Sequence, residues 1–261
     1  NCTRIKYKKG SYIIRMKDSV SNEYLSEIVG NAIIKLSNYN LDIFSDLFKP
    51  ILEKKCPFSK LDLIGRNLGL NLKDKPELLI KGFDILIESN KMGSYVIVSQ
   101  GLSQLMPENI ELVMEKSRQY IIYGDKWYVC DIIGERSIGL SLVNYFDITI
   151  SWIQKFLEDE NRWIRRSAGV SIHFFSKRIL DQKERTILLL NILEPHMEEK
   201  QIDTVKGIGW GLKTIGKYHP DILTEFLLAQ LSKDKIISKT MLRKALTYLP
   251  MDKREEIESF V

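Results

Sequence analysis

The chain has 261 residues, 44% of them hydrophobic and 28% charged, a composition that suits a globular protein with a sizeable core and argues against a disordered one. Its three cysteines, Cys2, Cys56 and Cys130, are odd in number, far apart and outside any CxxC or histidine cluster, which argues against a disulfide framework or a zinc site and for reduced thiols in a cytosolic protein. A net charge of +5 is mildly basic, and no run approaches the ~18 apolar residues of a membrane span.

The first residues, Asn1-Cys2-Thr3-Arg4, carry neither an initiator Met nor an apolar leader, as expected of a sequence that starts inside a longer one. Residues 1–18, with Lys6, Lys8, Lys9, Arg15 and Lys17, are expected to form a basic arm or a first helix. Residues 19–261 lack Gly/Ser-rich linkers and low-complexity tracts, so a single domain is expected.

From there the apolar residues recur at helical spacing, and sustained alternation is absent. Helices are expected near residues 21–37, 41–54, 59–69, 76–89, 94–105, 107–122, 127–141, 145–157, 161–175, 181–194, 202–217, 219–231 and 238–248. Ile110, Val113, Met114 and Ile121 fall on one face of the sixth, and Phe146, Ile150, Ile153 and Leu157 on one face of the eighth. Pro76 and Pro107 suit a first helical turn, while Pro195, Pro220 and Pro250 mark breaks. Short helices joined by tight turns over the whole length imply an all-α, HEAT-like α-solenoid of stacked antiparallel pairs, in which function is spread over successive second helices.

Charge is unevenly distributed along this array. Residues 1–160 hold 21 basic and 21 acidic side chains, residues 161–250 hold 16 and 9, and the tail holds two and four. The surplus lies in one C-terminal segment, where it fits either a polyanionic partner or a solvated helix surface.

Three tryptophans sit in short polar motifs. Trp127 and Asp131 are four apart, so a helix puts an aromatic surface beside a carboxylate, as a cation site requires; a core tryptophan with a surface ion pair has the same spacing. Arg165 and Arg166 follow Trp163 behind the N-cap candidate Asn161, and either bind phosphate or lie on a solvated face. In Gly207-Ile208-Gly209-Trp210-Gly211, three alternating glycines cost a helix about 0.5–1 kcal/mol each, so they mark close approach of another helix or of a ligand. His173, His196 and His219 stand on separate segments without metal-ligand spacing and read as structural or incidental.

In this order, Trp127-x-x-x-Asp131, Trp163-x-x-Arg166-x-Ala168 and Lys206-Gly207-Ile208-Gly209-Trp210-x-Leu212-Lys213 followed by His219-Pro220 resemble the AlkD-like DNA alkylation repair glycosylases, most clearly from Lys91 to Pro250. The resemblance implies a HEAT-like superhelix that hydrolyses the N-glycosidic bond of positively charged N3- or N7-alkylated purines in duplex DNA, without full base flipping. The resemblance further implies a monomer that needs neither metal nor cofactor. Trp127 and Trp210 would flank the sugar and lesion, Asp131 would be the catalytic carboxylate and Arg166 would hold the nearby phosphate. Arg165, Lys206, Lys213 and Trp163 complete the expected DNA-binding set. Where the family often has an aromatic residue before Trp127, this chain has Lys126, and its N-terminal region reads Pro57-Phe58-Ser59-Lys60-Leu61-Asp62. Two other functions compete: a non-catalytic repeat protein that binds damaged or branched DNA, and a protein-binding scaffold, against which the C-terminal charge surplus argues.

Overall fold

The computed structural model describes residues 21–260; the expected basic arm and Cys2 lie outside them. Among the described residues the only regular structure is helical: α1 (Asn22–Ser37), α2 (Leu41–Asp46), α3 (Lys49–Leu52), α4 (Phe58–Leu72), α5 (Pro76–Glu88), α6 (Met92–Leu102), α7 (Ile110–Gly124), α8 (Trp127–Ile133), α9 (Leu140–Asn144), α10 (Phe146–Leu157), α11 (Arg162–Ser176), α12 (Lys183–Leu193), α13 (Ile202–Tyr218), α14 (Pro220–Leu231), α15 (Lys239–Ala245) and α16 (Met251–Glu258). A π-helical turn, Gly134–Gly139, joins α8 to α9 without a break.

Capping explains several starts. Ser21, Asn161, Gln201 and Ser238 each accept a backbone N–H through the side chain at the head of α1, α11, α13 and α15, satisfying donors that a helix leaves orphaned. Pro76 and Pro220 are first helical residues. Pro107 departs from expectation: it follows a cis peptide bond, and α7 begins three residues later at Ile110. The expected helix at 41–54 is split, because Leu47 and Phe48 turn the chain between α2 and α3. α16 follows Pro250 as an additional element; its largely charged sequence hides the period that marks the other helices.

The helices make an all-α solenoid. α1, α4, α6, α8 with α9, α11, α13 and α15 pack successively on one another, and α5, α7, α10, α12 and α14 flank them as a second layer. One apolar core runs through both layers from Leu25 to Ile257. α6 lies deepest, with every residue from Ser94 to Leu102 buried. The expected faces of α7 and α10 point inward: Val113, Met114 and Ile121, and Phe146, Ile153 and Leu157, are buried.

Glycines set how closely the first-layer helices approach. A Cβ on Gly169 would lie 2.3–2.4 Å from backbone atoms of Gly207, and one on Gly207 would lie 2.6 Å from the Arg166 carbonyl oxygen. Gly211 faces Gly169 and Ile172, whereas Gly209 faces Lys244 and Met241 of α15. All three alternating glycines are thus used in helix packing, and the other reading, a backbone opened to a ligand, does not hold. Because the neighbour of Gly169 is backbone and cannot swing aside, Gly169→Ala is expected to cost about 3 kcal/mol. Thermal unfolding measures this as a melting point lower by about 6–12 °C.

Candidate functional site

Polar side chains of α8, α11 and α13 meet across the first layer. On α8 the turn before the helix is fixed by its neighbour: Asp125 adopts a left-handed conformation with φ 42°, and its carboxylate accepts a 2.6 Å hydrogen bond from the indole Nε1–H of Trp163. The chain then enters α8 with Lys126 as N-cap and Trp127 as first residue. Trp127 is 59% exposed, against 6% for Trp163. Trp163, expected to touch DNA, is a buried support for the Trp127 turn. A core position with one polar atom aimed at a partner is the common fate of a tryptophan that lies under a surface loop.

One turn into α8, Asp131 accepts two hydrogen bonds from Arg166 of α11, Nε to Oδ1 at 2.8 Å and Nη2 to Oδ2 at 2.9 Å. Arg166 Nη1 donates to the Asp203 carbonyl oxygen of α13 at 3.3 Å, so this one side chain links three consecutive first-layer helices. Burial opposes its charge, but the hydrogen bonds and charge of Asp131 more than offset that and raise the guanidinium above the ordinary arginine range. Arg166 is 8% exposed and spends its bidentate edge on a carboxylate, not on a ligand as expected of a phosphate-holding fork. The Asp131 side chain retains 16% of its surface, and the carboxylate is held in one orientation with that surface open to solvent.

Arg165 is also committed elsewhere. Its Nε donates to Glu199 at 2.9 Å, and its Nη1 to the carbonyl oxygens of Asp159 and Glu160, closing the loop ahead of α11. It therefore departs from the expected DNA contact. Arg162, which the motif reading passed over, lies over the Trp163 ring and within 4 Å of both Asp125 and Asp203.

α13 presents the other wall. Lys206, Trp210, Lys213 and Lys217 recur at steps of four, three and four and so share a face. Beyond them lie Arg243, Lys244 and the exposed Tyr248, whose ring is approached by Lys213 and Lys217 at 4.9 and 5.6 Å. Among the described residues none of Lys206, Lys213, Lys217, Arg243 and Lys244 has a carboxylate within salt-bridge distance, whereas Arg162, Arg165, Arg166 and Lys177 each have at least one. Burial, then the positive charges of Lys213, Arg166, Lys206 and Arg243, push the Lys244 ammonium below its usual range. Among the described residues, much of the C-terminal surplus of positive charge thus lies on α13 and α15 as cations without a carboxylate, an arrangement that favours an anion.

Trp210 itself is half-buried and stacks on His173 of α11, centroid to centroid 4.1 Å at 22°. His173, expected to be structural or incidental, is thus a stacking partner of Trp210. Its partnership was hidden because nothing in local spacing ties a residue of α11 to one of α13. Trp127 and Asp131, Arg166 and His173, and Trp210 with its lysines therefore occupy three adjacent helices of one layer.

The family model for DNA alkylation repair enzymes matches residues 64–249, which include every element just described. No curated protein and no solved structure matches the chain.

Proposed function

Because the chain belongs to the DNA alkylation repair enzyme family, we propose that it is a glycosylase which removes cationic N3- or N7-alkylated purines from duplex DNA. The observation that carries the reading is the Asp131 carboxylate: solvent-accessible, fixed by two hydrogen bonds from Arg166, and one helical turn from the exposed indole of Trp127. An alkylated purine already bears positive charge, so the bond between the base nitrogen and C1′ breaks with its electron pair passing to the base, which leaves neutral. The sugar becomes oxocarbenium-like, and a preorganised carboxylate stabilises such a cation without reorganising in the step. Water then adds to C1′ and gives up a proton to Asp131. Tryptophan faces attract cationic groups by about 0.5–2 kcal/mol each, which suits Trp127 and Trp210 to either side of the lesion. The openness of Trp127 favours recognition without full flipping of the base.

Phosphates fall to the lysines of α13 and α15 in this reading, since Arg165 and Arg166 are bound within the protein. Each phosphate neutralised contributes about 0.9 to the slope of log K against log salt. The double variant Lys206→Ala/Lys213→Ala is expected to lower that slope by about 1.8 for undamaged duplex DNA, measured by fluorescence anisotropy titration at several salt concentrations. The Asp131–Arg166 pair favours a second reading, a purely structural ion pair in a protein that binds damaged DNA without cleaving it. Release of 7-methylguanine from methylated duplex decides between the two: free base supports the glycosylase, and tight binding with no release supports the binder.

A further inference from the structure

His173 belongs to a hydrogen-bonded relay that ends on Trp210. Lys177 Nζ lies 3.3 Å from His173 Nε2, His173 Nδ1 lies 2.6 Å from Thr214 Oγ1, and Thr214 Oγ1 donates to the Trp210 carbonyl oxygen at 3.1 Å. An ammonium has no acceptor, so Lys177 donates and Nε2 must carry the lone pair; Nδ1–H then donates to Thr214, whose own proton is already spent on the Trp210 carbonyl. Every donor and acceptor is matched only in the neutral Nδ1–H tautomer. The charged groups facing the ring are Lys177 and Arg178 from the turn that ends α11, Lys213 from α13, and Glu135 from the π turn, which sits 3.8 Å from Nε2 with the Lys177 ammonium beside it. Burial first, then the three cations, push the imidazole down to about 3.

One face of the Trp210 indole is therefore covered by a flat ring. A cationic imidazolium there would draw on the same π electrons that a positively charged purine needs on the opposite face. We infer that His173 is a positioning residue which fixes the plane of Trp210 and, held as the Nδ1–H tautomer by Lys177 and Thr214, leaves the opposite indole face to a cationic base. The inference rests on the glycosylase reading for the identity of that cation, and on the geometry alone for the tautomer.

Single-turnover excision of 7-methylguanine at saturating protein tests the first part. His173→Phe, which keeps a flat uncharged ring, is expected to stay within about threefold of the wild type. His173→Ala is expected to fall about tenfold or more, with unchanged affinity for undamaged duplex. Lys177→Glu replaces the donor by an anion that favours the imidazolium, so its rate is expected to fall between pH 7.5 and pH 5.5 by at least about twofold more than that of the wild type. His173→Phe in that background is expected to remove the pH dependence. A Lys177→Glu profile matching the wild type, or a His173→Ala variant at wild-type rate, overturns the positioning role.

Nitrogen-15 NMR of labelled histidine tests the second part and needs no activity. The signal lost in His173→Gln is expected to report protonated Nδ1, bare Nε2 and no titration between about pH 5.5 and 7.5. An Nε2–H tautomer or titration in that range overturns the inference even in a protein that excises nothing. If the wild type releases no base while this signal behaves as expected, the glycosylase reading fails and the tautomer stands.

Discussion

Asp131→Asn is expected to reduce the single-turnover rate of 7-methylguanine release by at least about 100-fold while leaving affinity for methylated duplex within a few-fold of the wild type. The substitution keeps the shape of the side chain and removes the negative charge that opposes the oxocarbenium-like sugar. Deleting one preorganised electrostatic partner of a transition state typically costs 10²–10³ in rate, and an interaction made only in the transition state does not show in binding. The same change leaves the Arg166 guanidinium, 8% exposed, with an amide where it had a carboxylate. A melting point lower by roughly 6–12 °C is therefore expected as well, from about 3 kcal/mol for an uncompensated buried charge. Rates are compared below both melting points. Wild-type excision by Asp131→Asn would remove the carboxylate from the mechanism.

Arg166→Ala is expected to be the most destabilising of these substitutions, by about 3–5 kcal/mol, read as the midpoint of urea unfolding. Three losses coincide: the two hydrogen bonds to Asp131, the donor to the Asp203 carbonyl oxygen, and the packing of the Arg166 stem on Gly207. Excision is expected to fall with it, since Asp131 then lacks the partner that fixes its orientation. The salt dependence of DNA binding separates this role from the one the motif suggests. A guanidinium balanced by its own carboxylate releases few counterions, so the slope is expected to change by less than half of the ~0.9 that a phosphate contact contributes. A full loss of about 0.9 would place a phosphate on Arg166.

Much of this architecture is legible in the amino-acid order. Helical period and proline punctuation locate the helices to within a few residues from α4 through α15, because burying one stripe of each helix constrains every third or fourth position. Asn161 announces the start of α11, and the four-residue step from Trp127 to Asp131 puts both on one side of α8 by geometry alone. The excess of basic residues in 161–250 is equally visible. It is local arithmetic and needs no partner to be identified.

Other features required the folded chain. Asp131 meets Arg166 across 35 positions, Trp163 reaches back to Asp125, and His173 lies flat on Trp210. The basic residues divide in the same way, since only the packing shows Arg165 closing a loop on Glu199 while Lys206 and Lys213 find no carboxylate among the described residues. The three glycines around Trp210 signal close approach from their residue type, but the helices that approach, α11 on one side and α15 on the other, appear only in the fold. Periodicity along a helix fixes which direction a side chain points, a property of one helix with its own 3.6-residue turn. What it meets there depends on the axial register between neighbouring helices, which is set by the interlocking of the whole stack and is written in no single segment.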